Sequence, residues 1–147
     1  MNKNKIRYLI IGLIFILLII ALILLISNTP HNTPLENNTV VDVIDGDTFE
    51  YYDETSERIL IVRLLCVDTP EKDEEGYDEA SNYLSSLILN KQVILNSSIT
   101  NEDKYGRLLR YVYFEDSGET LFVNKLILDN NYGSLLIIPP ETCEEVK

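Results

Sequence analysis

The sequence predicts a mainly β fold, a small closed barrel with an inserted helix, preceded by a membrane-spanning helix. Short runs rich in β-branched and aromatic residues recur between turn residues after position 38. One longer stretch, Asp78 to Asn90, places its apolar residues at helical spacing. At the N-terminus, Tyr8 to Ile26 form 19 consecutive residues without a charge. These three observations together define the predicted fold class.

The N-terminal apolar block is long enough to cross a bilayer, because a helix rises about 1.5 Å per residue and the hydrocarbon core is ~30 Å thick. Lys3, Lys5 and Arg7 precede it and no base follows closely. This predicts a single-pass membrane protein with a cytoplasmic N-terminus and an extracytoplasmic domain. A cleaved signal peptide, which would give a secreted protein, is the alternative. The long apolar run and the lack of a small-x-small pair favour an uncleaved anchor over residues 1–27.

Residues 28–38 connect this anchor to a domain that is predicted to cover residues 39–147. They are polar, include two prolines and show no periodicity, which indicates a flexible linker. His31 lies in this linker and is expected to be a solvated residue.

The first half of the domain contains three predicted strands. Thr39–Ile44 and Thr48–Tyr52 are β-rich and flank Asp45-Gly46-Asp47, which indicates a hairpin turn. Ile59–Val67 is apolar except for Arg63. We therefore expect this third strand to be buried on both faces, with its arginine directed at a specific partner.

The second half contains one long helix, further strands and a short helix. An acidic loop, Asp68–Gly76, leads into the helix at Asp78–Asn90. The later predicted elements are strands at Val93–Leu95 and Leu108–Phe114, a short helix around Phe122–Ile127 and a short strand at Leu135–Ile138. One helix inserted between the third and fourth of five main strands fits a five-stranded β-barrel of the OB type, with one short C-terminal helix.

Composition restricts the chemistry that this domain can perform. The 147 residues carry 24 acids and 12 bases, a net charge of −12, and the chain after its first 35 residues carries −15. One histidine and two cysteines are too few for a zinc site of His and Cys, and a Ser-His-Asp triad would have to use His31. Chemistry must therefore depend on carboxylates, arginines, tyrosines or a metal bound by oxygen.

Three short segments concentrate charge in otherwise apolar surroundings. They are Asp45-Gly46-Asp47-Thr48, Arg63 together with Asp68, Thr69 and Glu71, and Asp103-Lys104-Tyr105-Gly106-Arg107. In a regular strand, Arg63 and Asp68 would point to opposite faces. A bend near Val67 is needed to bring them to one site, and Pro70 supports an irregular backbone there.

These residue types suit phosphodiester hydrolysis. The carboxylates of Asp45, Asp47, Asp68 and Glu71 are hard oxygen ligands of the kind that Ca²⁺ prefers. Arginine binds phosphate through a planar, permanently charged fork. A divalent ion, two arginines and a spare carboxylate base are what in-line attack of water requires. Each segment alone has a plainer interpretation, as a solvated turn, a strand salt bridge or a loop exit, so the specificity lies in their joint occurrence.

The chain at this point resembles the staphylococcal nuclease-like, or thermonuclease, domain family, from about Val41 to about Gly133. The motifs that carry the resemblance are IDGDT at Ile44–Thr48, VRLLCVDTPE at Val62–Glu71, EAS at Glu79–Ser81 and DKYGRLLRYVY at Asp103–Tyr113. The resemblance implies an OB-fold barrel that cleaves DNA and RNA, preferably single-stranded, with Ca²⁺. The implied products have 5′-hydroxyl and 3′-phosphate ends.

The resemblance also implies a role for individual residues. Asp47 and Asp68 would bind Ca²⁺ through their carboxylates and Thr69 through its backbone carbonyl, with Asp45 supporting these ligands from behind. Arg63 and Arg107 would hold the scissile phosphate. Glu71 would act on the attacking water, as its general base or as its orienting acceptor.

Three departures from the family pattern concern substrate binding and stability. Acidic residues follow Glu71 where the family often has lysines, Ile137 and Pro139 replace tyrosines that line a nucleotide pocket, and most of the C-terminal helix is missing. A noncatalytic OB module that binds nucleic acid or protein at the membrane is therefore the alternative. A membrane-tethered Ca²⁺-binding interaction domain is a third interpretation, and no protein partner is predicted.

The two cysteines leave two possibilities open. Cys66 lies in an apolar strand, where a buried free thiol behaves as a small hydrophobic residue. Outside the cytoplasm it could instead pair with Cys143 and fasten the short C-terminal tail.

Overall fold

The structure, a computed structural model, describes Gly12, residues 15–20 and residues 39–147. The chain divides into two units, Met1–Pro34 and Leu35–Lys147. In the first unit, Gly12 and residues 15–20 are helical and exposed. Within the described part of the chain, no helix is both long and apolar enough to cross a membrane. Most of the predicted anchor, the linker 28–38 and His31 lie outside the described residues, so the predictions made for them stay predictions.

The second unit is built on a mixed β-sheet. Its strands within the described residues are β1 (Val40–Val43), β2 (Thr48–Asp53), β3 (Arg58–Leu64), β4 (Val67–Asp68), β5 (Ile94–Asn96), β6 (Leu108–Asp116), β7 (Glu119–Phe122) and β8 (Ser134–Leu135). The main sheet has the order β1-β2-β3-β6-β5, and β7 pairs with β6. The β3–β6 pair is parallel and the other pairs are antiparallel, including a separate β4–β8 pair.

The two ends of this strand path approach each other. Thr39 forms an antiparallel bridge with Gln92. The Val40 N–H donates to the Lys91 carbonyl at 3.0 Å, and the Asn90 N–H donates to the Val40 carbonyl at 3.0 Å. These contacts join β1 to the chain just before β5, so the sheet curls into a half-barrel. The half-barrel fits the predicted OB-like fold but not the closed barrel that the sequence predicted, and it has short strands β4, β7 and β8 in addition to the five main ones.

Two helices pack on the sheet, α1 (Tyr77–Ile88) and α2 (Val123–Asp129), and a short 3-10 turn follows at Glu144–Val146. Helix α1 buries Ala80, Leu84 and Ile88, spaced four residues apart on one face. Both predicted helices are confirmed to within a few residues.

The core lies between the curved sheet and the two helices. Its fully buried side chains include Val40, Phe49, Val62, Leu64, Leu84, Ile88, Val112, Phe114, Val123 and Ile127. Burying one such side chain contributes about 1.5–3 kcal/mol relative to leaving it exposed. These contacts hold β2, β3 and β6, the strands that carry the charged segments.

The prediction that the third strand is buried on both faces is wrong. Ile59 and Ile61 in β3 are 53% and 40% exposed, whereas Val62 and Leu64 are buried. The reason is that β6 pairs with β3 only from Val62 to Leu64. The first half of β3 therefore has β2 as its one strand neighbour, and its apolar residues alternate between the core and solvent.

Cys66 and Cys143 form a disulfide, with their Cα atoms 5.8 Å apart and 77 residues of separation. Both residues are buried in a small second cluster with Leu65, Tyr111 and Val146. Of the two possibilities that the sequence left open for the cysteines, the paired one is confirmed. The disulfide fastens the C-terminal tail to the turn between β3 and β4.

Candidate active site

The hairpin turn between β1 and β2 is packed too tightly for any residue but glycine at its centre. A Cβ on Gly46 would lie 2.6 Å from the Ala80 Cβ and 2.8 Å from Thr69 Oγ1. The Asp47 N–H donates to Asp45 Oδ1 at 3.0 Å. The turn is thereby held against α1 and Thr69, and Asp45 fixes the backbone of Asp47.

Asp47 is a buried carboxylate with several hydrogen-bond donors around it. It is 2% exposed. Its Oδ1 accepts from Thr48 Oγ1 at 2.8 Å and from Arg63 Nη1 at 3.0 Å, and its Oδ2 accepts from the Thr69 N–H at 3.3 Å. Burial and the neighbouring Asp45 raise the pKa of Asp47, and Arg63 opposes them. The net result is a pKa of about 6. A second positive charge beside Asp47 would stabilise its ionised form.

Arg63 joins the first charged segment to the second. Its Nη2 donates to Asp68 Oδ1 at 3.1 Å and to the Val67 carbonyl at 3.4 Å, while Nη1 binds Asp47. For Arg63 and Asp68 to meet, the strand must bend between them, and the predicted bend is confirmed. It lies at Leu65–Cys66, where the strand is interrupted and Cys66 has a left-handed φ of 64°.

Sequence reasoning missed Asn124, which holds this bend. Its Nδ2 donates to the Leu65 carbonyl at 2.9 Å and to the Arg110 carbonyl at 3.1 Å, and its Oδ1 accepts from the Val112 N–H at 2.8 Å. Asn124 is fully buried in α2. The signal that could have found it is an amide on the apolar face of a short helix, since buried polar groups need partners.

Arg107 approaches the same site from the third segment. Its Nε donates to Asp103 Oδ2 at 2.7 Å, and its Nη1 lies 3.5 Å from Thr48 Oγ1. Burial alone would raise the pKa of Asp103, but hydrogen bonds from the Arg107 side chain and from backbone N–H groups hold it below its ordinary value. Thr48 is thus within reach of both Asp47 and Arg107. The two predicted arginines lie on either side of the Asp47–Thr48 pair.

Glu71 stands apart from this cluster. Its backbone is fixed by Glu74, whose Oε2 accepts from the Glu71 N–H at 2.8 Å. Its own carboxylate is exposed and forms no hydrogen bond or ion pair with the described residues. The structure therefore brings Asp47, Asp68, Arg63 and Arg107 together and leaves Glu71 as a free carboxylate three residues beyond Asp68.

The predicted metal ligands fit a hard cation, although they are few. Within the described residues, no group of three or more His, Cys, Asp and Glu side chains is arranged to hold a metal ion. Asp47 and Asp68 nevertheless meet on one guanidinium, and the Thr69 backbone binds Asp47. The Asp68 side chain is 47% exposed, and its Oδ2 accepts no hydrogen bond from the described residues. This all-oxygen donor set suits Ca²⁺ that completes its coordination with other oxygens.

A cavity of about 560 Å³ opens beside the two arginines. Arg63, Arg107 and Tyr105 line it, together with the tail residues Leu136, Ile138, Pro139, Pro140 and Glu141. Its volume lies within the roughly 300–1,000 Å³ of typical small-ligand sites. Pro139, one of the two positions that depart from the family pattern, is among these lining residues, but Ile137 is not.

A half-barrel that carries a cluster of two carboxylates and two arginines defines an OB-like domain with a charged candidate site. The family model described as staphylococcal nuclease homologue matches residues 61–137. The chain belongs to this family, and the resemblance noted from the motifs is confirmed.

Several relatives carry names that agree with this family. An uncharacterized endonuclease of Escherichia coli O157:H7 is 34% identical over 97 residues, which cover 66% of this chain and 61% of that protein. The thermonuclease of Staphylococcus intermedius is 40% identical over 88 residues, 55% of this chain and 51% of the relative. The thermonuclease of Staphylococcus hyicus is 33% identical over 93 residues, 59% and 52%. The chain thus spans between about half and about three fifths of the length of these relatives.

Proposed function

We propose that this protein is a Ca²⁺-dependent nuclease that hydrolyses phosphodiester bonds of DNA, and of RNA, preferably in single strands. The proposal gives 5′-hydroxyl and 3′-phosphate ends as products. The observation that carries it is that Arg63 and Arg107, which line one cavity, contact the adjacent residues Asp47 and Thr48. Family membership supports the same activity.

The arginines are held in place and still have donors to offer a phosphate. Arg63 uses its two Nη atoms on Asp47, Asp68 and the Val67 carbonyl, and its Nε donates to none of the described residues. Arg107 uses Nε and Nη1, and its Nη2 likewise has no acceptor there. Ion pairs of this kind pre-orient the guanidinium groups, so the arginines can stabilise the negative charge that develops on the phosphoryl oxygens without reorganisation.

Glu71 is the proposed base. Water attacks phosphorus opposite the 5′-oxygen and transfers a proton to the free Glu71 carboxylate, while the bond from phosphorus to the 5′-oxygen breaks and that oxygen takes up a proton from solvent. Asp47, Asp68 and the Thr69 carbonyl would hold Ca²⁺, with Asp45 fixing Asp47. When bound there, Ca²⁺ supplies positive charge to the phosphate oxygens.

The experiment is digestion of denatured DNA by the full chain in detergent, with Ca²⁺ or with a chelator. We expect cleavage in the presence of Ca²⁺ and no cleavage with the chelator. The products should accept a labelled phosphate at their 5′ ends. Binding of DNA without cleavage in either condition would support the noncatalytic OB module instead. Cleavage that is equal with chelator would overturn the Ca²⁺ dependence.

We further propose that residues 1–27 anchor the protein in the membrane, with the nuclease domain on the extracytoplasmic side. The support is the uncharged block from Tyr8 to Ile26 and the three bases before it. Protease added to intact cells should remove an epitope after Lys147 and spare one before Lys3. Protection of the C-terminal epitope would contradict this orientation, and mature protein that begins after Ser27 would show a cleaved signal peptide.

A further inference from the structure

Part of the lining of the cavity beside the arginines comes from the C-terminal tail, from Leu136, Ile138, Pro139, Pro140 and Glu141, which we call the tail wall. The tail wall contributes aliphatic and proline side chains to the same cavity that Arg63 and Arg107 line. Among the described residues, no backbone hydrogen bond joins residues 137–140 to the barrel, and the Glu141 N–H donates within the tail to Ile138. The position of this wall therefore depends on what holds its two ends.

The first tie is centred on Cys66. The carbonyl of Cys66 accepts a hydrogen bond from the Leu136 N–H at 3.2 Å, and its sulfur is bonded to Cys143. A single residue thus holds the chain on both sides of the tail wall. Tyr111 Oη lies 3.5 Å from the Cys66 sulfur, and Val146 packs in the same buried cluster.

The second tie is Glu141, a carboxylate that is 6% exposed. It accepts from Ser98 Oγ at 2.6 Å and from the Thr100 N–H at 2.7 Å, both in the segment between β5 and β6. Burial alone would raise its pKa, but these hydrogen bonds hold the pKa below the ordinary value, so the group is ionised near neutral pH. Glu141 forms no ion pair within the described part of the chain. Its hydrogen bonds to Ser98 and Thr100 therefore serve to attach the tail to the segment between β5 and β6.

We propose that Glu141 and the Cys66–Cys143 disulfide are positioning groups that hold the tail wall in place, so that the cavity binds single-stranded substrate with full affinity only while both ties are intact. This inference rests on the proposed nuclease function. Neither tie touches the reacting atoms. Loss of either one should weaken binding while the arginines and carboxylates keep their places.

The variants are chosen to separate the tail wall from the bend at Leu65–Cys66. Glu141→Gln removes the charge of the second tie, whose hydrogen-bond partners Ser98 and Thr100 lie outside the bend, and the double variant Cys66→Ala, Cys143→Ala removes the first tie. Glu144→Gln is the matched control, because Glu144 lies in the same tail but is exposed and pairs only with Lys147 at 2.6 Å. Glu141→Asp, which keeps the charge, tests partial rescue.

The measurements are kcat and KM on a short single strand, with the full chain in detergent and Ca²⁺. The Kd of the same strand, labelled with a fluorophore, is measured by anisotropy in a Glu71→Gln background. We expect KM and Kd to rise about tenfold in Glu141→Gln and in the double variant, with kcat close to the wild-type value, and no change in Glu144→Gln. Glu141→Asp should lie between wild type and Glu141→Gln.

Two results would overturn the inference. A fall in kcat at constant KM in the double variant, with Glu141→Gln unchanged, would mean that the disulfide acts on the bend between Arg63 and Asp68. Unchanged Kd in both variants would mean that the tail wall does not contribute to binding. If the double variant does not fold, the Kd of Glu141→Gln alone decides whether the tail wall contributes to binding. A wild type that binds the strand without cleaving it would refute the proposed function, and the Kd comparison would still test the tail wall.

Discussion

Arg63 binds two carboxylates with its one guanidinium group, and its proposed role depends on this double contact. Nη1 binds Asp47, in the turn before β2, and Nη2 binds Asp68, at the end of β4. A lysine ammonium is a compact point charge and cannot span two carboxylates in a fixed plane. The arginine therefore sets the relative positions of the two proposed metal ligands as well as offering donors to a phosphate.

Replacing Arg63 by lysine tests this account. Arg63→Lys keeps the charge but loses the fork, so turnover should fall by about 10²–10³, the usual cost of one lost electrostatic donor. The circular-dichroism spectrum should stay that of the wild type. Arg58→Lys, an exposed position at the start of the same strand, is the control and should keep full activity. Comparable rates in both variants would remove Arg63 from the mechanism.

Asp47 gives a prediction about pH and stability. Burial raises its pKa from 3.8 to about 6. Between these values the folded protein retains a proton that the unfolded chain has released, so this contribution to stability is complete below pH 3.8 and is lost as pH rises through about 6. With chelator present, we expect the unfolding free energy of the wild type to fall by ~2 kcal/mol more than that of Asp47→Asn between about pH 4 and about pH 7. Urea denaturation measures it, and parallel pH profiles would contradict the raised pKa.

At the scale of elements, the site exists because a strand stops early. The bend at Leu65–Cys66 turns Asp68 back towards Arg63, and the amide of Asn124 holds the Leu65 carbonyl at that point. Helix α2 thereby stabilises a turn that belongs to the candidate active site, although no residue of α2 lines the cavity.

Replacement of Asn124 should therefore damage the fold as well as the site. Asn124→Ala removes three hydrogen bonds, two of them buried, and we expect a loss of about 2–4 kcal/mol in the free energy of unfolding, because the Leu65 carbonyl and the Val112 N–H lose a buried partner. Asn130→Ala, at the exposed C-terminal end of the same helix, should cost much less. Urea denaturation of both variants gives the comparison. Equal losses would show that the buried amide has no special importance.

The elements also show what the sequence could predict. Helix α1 and the hairpin at Asp45–Asp47 were predictable, because periodicity and turn residues are local signals. The burial of β3 was predicted wrongly, since an apolar run does not reveal where a neighbouring strand ends. The sequence could not decide whether Cys66 and Cys143 pair, because their separation along the chain does not fix the distance between them in the fold. Asn124 was missed for a related reason, as its three partners come from two distant segments.

For the whole molecule, net charge is the property that most distinguishes this chain from a basic nuclease. The part after residue 35 carries −15. Seven acids lie between Asp68 and Glu79, close in sequence to the proposed site, and the nearby bases are Arg63, Lys104, Arg107 and Arg110. Long-range repulsion should oppose the approach of DNA, while short-range contacts with the arginines hold a phosphate once it arrives.

Salt dependence follows from this charge. The Debye length falls from about 30 Å at 0.01 M to about 8 Å at 0.15 M ionic strength, which screens distant acids more than direct contacts. At saturating Ca²⁺ and limiting single-stranded DNA, we expect kcat/KM to stay flat or rise across that range. A steep fall, as counterion release from a positive groove would cause, would show that net charge does not control the encounter.

The most direct test of the central claim is the rate of a single turnover on denatured DNA for Glu71→Gln beside Glu75→Gln. Both changes remove one carboxylate from the same exposed loop, so their effect on net charge is equal. If the cluster of Arg63, Arg107, Asp47 and Asp68 is a hydrolytic centre with Glu71 as its base, Glu71→Gln should slow cleavage by about 10²–10⁴ and Glu75→Gln should not. Cleavage by Glu71→Gln at the rate of Glu75→Gln would contradict this account.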